Sequence, residues 1–443
     1  MEFKRDIIVT LKKWKDSPNR KPILLGGARQ VGKTWIMESF GRECFDNFVK
    51  FDFDKQHEIQ QIFQTTKDPY RILKELALYS GKPIQPEKTL LIFDEIQECE
   101  EALNALKYFC DEAPQYAVIA AGSLLGVAVK RKSMSVPVGK VRRMRLFPLT
   151  FREFLRTSDP LLFERIENSE PFDPLPRYSL NRIEEEYRRF QICGGMPEAA
   201  KTLLENKGMD EVENTLQDIL DLYELDFAKY AAPREIPRIS AIWHSLPSQL
   251  SKENRKFIYN VIRSGARSKD YEDALLWLQD AGMIYKLNVA SKPGMPLSAY
   301  LKPNIFKVYA CDCGLLRRLA RLSPSVILDE VYNFTEFKGA LAENTVYQNL
   351  IPAMEYETMG YWTSEGKAEV DFLLQIEQEV VPLEVKAGSN LSGKSLFSYK
   401  EKFHPNLMVR LAMGNISLKD NFLAYPLGLA PWLPQRLRSL PKE

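Results

Sequence analysis

Two rhythms of apolar and polar positions run along the chain. "KPILLGG" (Lys21 to Gly27) is a short apolar run closed by glycine, the pattern of a buried strand, and "GKTWIMESFGREC" then takes helical spacing with Trp35, Ile36 and Phe40 on one side. "KTLLIFDEIQ" (Lys88 to Gln97) and "YAVIAAGS" (Tyr116 to Ser123) are further buried-type runs, whereas "NFVKFDFD" (Asn47 to Asp54) alternates as an edge strand does. Strands and helices in turn predict an α/β fold with a parallel sheet over this part of the chain.

Further on, "RTSDPLLFERIENSEPFDPLPRY" is rich in proline and acid and reads as an irregular connection. "NRIEEEYRRFQICGGMPEAAKTLLEN" reads as a helix broken at Gly194-Gly195 and restarted near Pro197. The next stretch orders short helices before the strand "GMIYKLNVA", which resembles a winged helix, with "SKPGMPLSAYLKPN" as its wing or the linker out of it. Lys252, Arg255, Lys256, Arg263, Arg267 and Lys269 would lie near its recognition surface. Such modules bind DNA and also dock proteins, and the sequence leaves both open. Beyond residue 304, "GALAENTVYQNLI" reads as an amphipathic helix, and "YETMGYWTS", "AEVDFLLQI" and "EVVPLEVKA" read as successive strands.

With 443 residues the chain is too long for one ordinary core. We expect segments at 1–155, 156–232, 233–300 and 301–443, and no internal repeat is visible. Lys and Arg total 61 against 59 Asp and Glu, so any attraction to nucleic acid must come from a local patch. The longest apolar run, "AVIAAGSLLGVAV", is shorter than the roughly 20 residues that span a bilayer. The first residues carry charges throughout and do not read as a signal peptide, so the expectation is a cytoplasmic protein with no membrane partner. Six cysteines without a zinc-type spacing read as buried thiols.

The chemistry concentrates at the first strand's exit. Gly27-Ala28-Arg29-Gln30-Val31-Gly32-Lys33-Thr34 places two glycines, a lysine and a hydroxyl where backbone N–H groups can close around phosphate oxygens. Lys33 would reach the β- and γ-phosphates and Thr34 would ligate Mg²⁺. Asp94 and Glu95 end a fully apolar strand, an unfavourable place for two carboxylates unless a cation or a proton transfer employs them. Asp94 suits the Mg²⁺ shell, Glu95 the polarisation of an attacking water. Ser123, at another strand tip, either senses the terminal phosphate or caps the next segment.

"GGARQVGKT", "LLIFDEIQ", "AAGSLLG", "GKVRRMRLFPLTFREF" and "CGGMPEAA" together resemble the AAA-type P-loop ATPases, and among them the bacterial and archaeal group whose ATPase domain precedes a C-terminal domain of unknown function. The resemblance implies ATP and Mg²⁺ as cofactors, a helical lid over 156–232, and a restriction-endonuclease-like module at the C-terminus. That family carries Gly-Arg where Gly139-Lys140 stands here, which takes away the planar fork of a guanidinium. At Gly194-Gly195 both a tight turn and a direct nucleotide contact stay open.

Two regions bear on partners. "KRKSMSVPVGKVRRMR" (Lys130 to Arg145) holds seven basic residues and no acid, and could bind nucleic acid, steer a phosphate or form a solvated strand and loop. In the back half, Glu343 falls on the helix, Asp371 in the second strand, and Glu384 with Lys386 in the third. Two carboxylates at a strand pair can hold Mg²⁺, and a lysine two residues along the same strand can hold the attacking water. Of several Glu-x-Lys triplets only Glu384-x-Lys386 lies in a β-type run, and it reads as a nuclease site, a nucleic-acid-binding relic or an ordinary charged strand. The expectation is an ATP-binding and hydrolysing protein coupled to a DNA-associated nuclease-like module, with a nucleotide-dependent protein-binding switch as the alternative and an oligomer left open.

Overall fold

A computed structural model describes residues 1–127, 137–252, 255–328, 335–364, 368–387 and 394–440. The basic residues Lys130, Arg131 and Lys132 and the triplet Glu365-x-Lys367 lie outside them. The chain forms two compact bodies, one of residues 5–147 with 280–282, the other of residues 1–4, 148–279 and 283–443.

In the first body five strands form a parallel sheet in the order β2-β3-β4-β1-β5. They are β1 (Ile23–Gly26), β2 (Asn47–Asp52), β3 (Thr89–Asp94), β4 (Ala117–Ala121) and β5 (Arg142–Arg145). The central pair β3 and β4 is buried from end to end, and the alternating β2 stands at the edge. Phe93 sits at the middle of an aromatic cluster, with the rings of Phe51, Phe53, Phe63 and Phe109 between 5.6 and 6.2 Å away. Truncating such a side chain costs about 3–5 kcal/mol. These contacts lock the strand whose tip carries Asp94.

Among the described residues the second body is built on eight strands in the order β12-β13-β11-β10-β9-β8-β6-β7. Its hairpin β6 (Ile284–Ala290) and β7 (Leu301–Ala310) joins the sheet through β8 (Met359–Thr363), followed by β9 (Glu369–Ile376), β10 (Glu379–Val385), β11 (Met408–Ala412), β12 (Ser417–Lys419) and β13 (Phe422–Pro426). Helices Ile236–Leu250, Tyr259–Ile262 and Ser268–Asp280 precede β6 and β7, and that hairpin forms one end of the larger sheet.

Two local expectations change. The proline- and acid-rich connection contains a helix, Pro160–Glu167, because Asp159 accepts from Leu162 N (3.1 Å) as its cap and Pro160 takes the first helical position, where no N–H is needed. The helix Thr335–Leu350 is buried on all sides along Ala340–Leu350 rather than amphipathic. Its polar residues each find a partner: Asn344 bonds both Ala310 N and O, Gln348 accepts from Cys313 N, and Asn349 accepts from Phe151 N.

Candidate functional site

The loop after β1 needs its glycines. Gly27 has φ +141°, and a Cβ there would stand 2.2 Å from the Leu146 carbonyl oxygen. Gly32 caps helix Lys33–Cys44 at φ 91°, also left-handed. Arg5 braces the turn, donating to Val31 O (3.0 Å) and Phe147 O (2.6 Å). Ala28 and Val31 are buried, Arg29 is half-buried and Gln30 is exposed.

Lys33 is buried and donates to Gly27 O (3.0 Å) and Ala28 O (2.9 Å) across that turn. Thr34 Oγ1 donates to Asp94 Oδ2 at 2.7 Å, joining the loop to the tip of β3. Burial raises the Asp94 carboxyl above its ordinary range, and the Thr34 hydroxyl partly offsets this. Glu95, at φ 50°, accepts from Gln97 Nε2 (2.6 Å) and, through its other oxygen, from Ser123 Oγ (3.0 Å). The structure therefore brings Lys33, Thr34, Asp94, Glu95 and Ser123 to the ends of three neighbouring strands. Gln97 and Arg5 were not singled out from the sequence. Neither left a signal: the role of Gln97 depends on the distant strand tip at Gly122, and Arg5 lies far from the loop in sequence.

The basic strand β5 presents Arg142, Arg143 and Arg145 outward, and Lys140 donates to Asp111 Oδ1 (2.5 Å). In the second body, Gly194-Gly195 forms a turn against a carboxylate. A Cβ on Gly194 would meet Asp312 Oδ1 at 2.1 Å, and Gly195 N donates to Asp312 Oδ2 at 2.5 Å. Cys193, Cys311 and Cys313 are buried nearby, and burial raises each thiol's pKa.

The back-half carboxylates form a charge cluster. Leu383 pairs with Phe372, so one step further along the hairpin Glu384 faces Asp371, and Glu384 is also paired with Arg410 on β11. Asp371 Oδ2 accepts from Val385 N (2.7 Å). Glu384 accepts from Lys386 Nζ (3.0 Å) and Arg410 Nε (3.2 Å). Glu343, fully buried, accepts from Tyr309 Oη (2.5 Å) and Lys307 Nζ (3.0 Å) and pairs with Arg255. Lys307, equally buried, also lies 2.6 Å from Glu369 Oε1 and 3.9 Å from Asp371 Oδ1. Burial raises the Glu369 pKa while the Lys307 ammonium pulls it back. Arg255, expected on a recognition surface, points to Glu343 and Asp371 instead. Among the described residues no three His, Cys, Asp or Glu side chains form a group able to hold a metal.

A glycine-shaped loop at the exit of β1, with a hydroxyl–carboxylate contact to β3, is the geometry of a P-loop domain. Residues 19–155 match a family model described as an AAA domain, residues 184–326 a domain of unknown function (DUF8612), and residues 338–430 another (DUF4143). Among solved structures, the chain is similar to a Walker-type ATPase of Pyrococcus abyssi (17% identity, 72% of this chain and 96% of that one, TM-score 0.43). It is also similar to the ORC2 protein of Aeropyrum pernix (13%, 72% and 91%, TM-score 0.34) and to a STAND protein with a tetratricopeptide repeat sensor from Pyrococcus horikoshii (15%, 80% and 46%, TM-score 0.29). No curated protein matches the sequence. Among the described residues no helix is long and apolar enough to cross a membrane.

Proposed function

We propose that the chain binds and hydrolyses Mg²⁺-ATP in its first body, and that its C-terminal body acts by holding a ligand rather than by cutting one. The observation that carries the first half is the bond from Thr34 to Asp94 at 2.7 Å, beside Lys33 and a loop in which Gly27 has no room for a Cβ. That donor set fits a Mg²⁺-triphosphate. Backbone N–H groups from Ala28 to Thr34 and the Lys33 ammonium would hold the phosphates, and Thr34 with Asp94 would hold the metal. Bound Mg²⁺ supplies charge neutralisation on the phosphate oxygens. Glu95 is held by Gln97 and Ser123 with a carboxylate able to orient a water and accept its proton.

Phosphate release and calorimetry test this reading. Lys33→Ala is expected to lose nucleotide binding, whereas Glu95→Gln keeps binding and loses about 10²-fold or more in turnover. If the wild type binds no adenine nucleotide, the proposal fails.

The second half rests on Lys307. Its ammonium and the Arg255 guanidinium already pair with Glu343, Glu369 and Asp371, and Arg410 and Lys386 pair with Glu384. A divalent ion would have to displace them against a buried, paired arrangement. The second reading, phosphodiester cleavage, is favoured by the side-by-side placement of Asp371, Glu384 and Lys386 on one hairpin. Incubating supercoiled plasmid with the full chain and Mn²⁺ separates the two. Nicking that Glu384→Gln abolishes would favour the nuclease; intact plasmid favours the holding role.

A further inference from the structure

The C-terminal body carries a cavity of about 490 Å³ between helix Lys394–Phe403, β11 and the turn joining β12 to β13. Among the described residues four cations line it, Lys394, Lys400, Arg410 and Lys419, against one carboxylate, Asp420. A cavity of similar size near Leu161 carries Glu164, Glu170 and Asp173 against Arg165, so positive lining is not a general property of this surface.

One apolar side chain of the lining stands open. On the same helix Leu396 and Tyr399 pack into a core with Trp362, Leu373 and Met408, whereas Phe397 stands 61% exposed at the cavity. Across the cavity Arg410 is 7% exposed, with its guanidinium 4.9 Å from the Phe422 ring centroid and its Nε held by Glu384. Lys400 Nζ donates to Asn421 Oδ1 (3.2 Å). A rigid guanidinium over one ring, a second ring left open and three further ammonium groups match a ligand with a flat π-face and several phosphates.

We propose that this cavity binds a nucleotide unit within single-stranded nucleic acid, its base against Phe397 and its flanking phosphates on Lys394, Lys400 and Lys419. A base paired in a duplex has both faces stacked and cannot lie on Phe397; an unpaired base can. The site is separate from the P-loop, and the proposal does not rest on ATP hydrolysis.

Fluorescence anisotropy with the full chain tests it, in a Lys33→Ala background so that the P-loop is not the phosphate site being read. The probe is a labelled oligothymidylate of about 12 nucleotides, within the site sizes known for single-strand grooves. Competitors are the same sequence as a duplex, thymidine monophosphate and inorganic phosphate. The expected result is binding to the single strand, about tenfold weaker in Phe397→Ala. Removing Lys394, Lys400 and Lys419 together should lower the slope of log affinity against log salt by about two. Both variants alter exposed side chains, so circular dichroism should match the parent. The proposal is overturned by absence of binding, by equal affinity in Phe397→Ala, by preference for the duplex, or by monophosphate competing as well as the strand.

Discussion

At the scale of single residues, the first body is organised around oxygen atoms that leave no room for a Cβ. Gly27 avoids Leu146 O, and Gly122 avoids Gln97 Oε1, which a Cβ would meet at 2.2 Å. The second contact bears on chemistry, because Gln97 Nε2 holds Glu95 at 2.6 Å. Gly122→Ala is expected to push the amide away and release one side of the Glu95 carboxylate, leaving Ser123 alone to orient it. Misplacing a catalytic group by about 1 Å costs on the order of 10²-fold in rate. We therefore expect turnover to fall by that order while the nucleotide dissociation constant, which the proposed site assigns to Lys33 and the loop amides, stays within about twofold. Measuring both on one preparation checks it; an equal loss of affinity would mean that the β4 tip shapes the phosphate loop itself. The glycines of the phosphate loop were legible because their spacing is local. Gln97 was not, because its role depends on the backbone of a strand tip more than twenty residues away.

At the scale of elements, the second body is tied together by Asp312. Its carboxylate caps helix Cys313–Leu319 at Leu315 N (2.9 Å), accepts from Gly195 N (2.5 Å) and accepts from Gln348 on the buried helix (3.1 Å). Three separate segments thus meet at one side chain. The helix break at Gly194-Gly195 could be read from the sequence, but its reason could not, since the carboxylate that demands glycine lies over a hundred residues away. Sequence separation also hid the burial of Ala340–Leu350, whose polar side chains find partners at Ala310, Cys313 and Phe151. Burial pushes the Asp312 pKa up to about 6 from an ordinary 3.8, against the four donors that pull it down. The folded state therefore binds a proton more tightly than the unfolded chain does, so this group's contribution to stability is full below about pH 4 and is lost as pH rises through about 6, up to roughly 3 kcal/mol. Urea unfolding at intervals across that window should show Asp312→Asn gaining on the wild type as pH rises. A constant difference would place the proton elsewhere. At the other end of the same contact, Gly195→Ala drives a Cβ to 2.1 Å from Leu149 O and should cost more than the roughly 1–3 kcal/mol of an ordinary overpacked site; thermal unfolding of the variant measures it.

At the scale of the whole chain, a formal charge of only +2 conceals a buried assembly in which positions as distant as 255 and 410 supply the charges. The sequence marked Glu343, Asp371, Glu384 and Lys386 as a set because two carboxylates on a strand pair with a lysine two residues further along follow a metal-site pattern. It gave no cue that Lys307, in the run "NIFKVYA", would be that reason, because a lone lysine in an alternating strand usually faces solvent. Lys307 is instead fully buried, between Glu343 and Glu369 and beneath the Tyr361 ring. The energetics follow from desolvation. Removing one ion of a buried group strands its partners, at about 3–5 kcal/mol, so Lys307→Met should lose that much in urea unfolding while keeping the volume of the stem. Adding Glu369→Gln to the Met variant removes one stranded carboxylate and should restore part of the loss, a coupling of about 0.5–3 kcal/mol in a double-mutant cycle. Hydrogen exchange should place the loss in peptides of β7 and β9 and leave β1 and β3 of the other body unchanged. A cost below about 1 kcal/mol for Lys307→Met would be the behaviour of a solvated surface pair, and the carboxylates would then be free to take a metal after all.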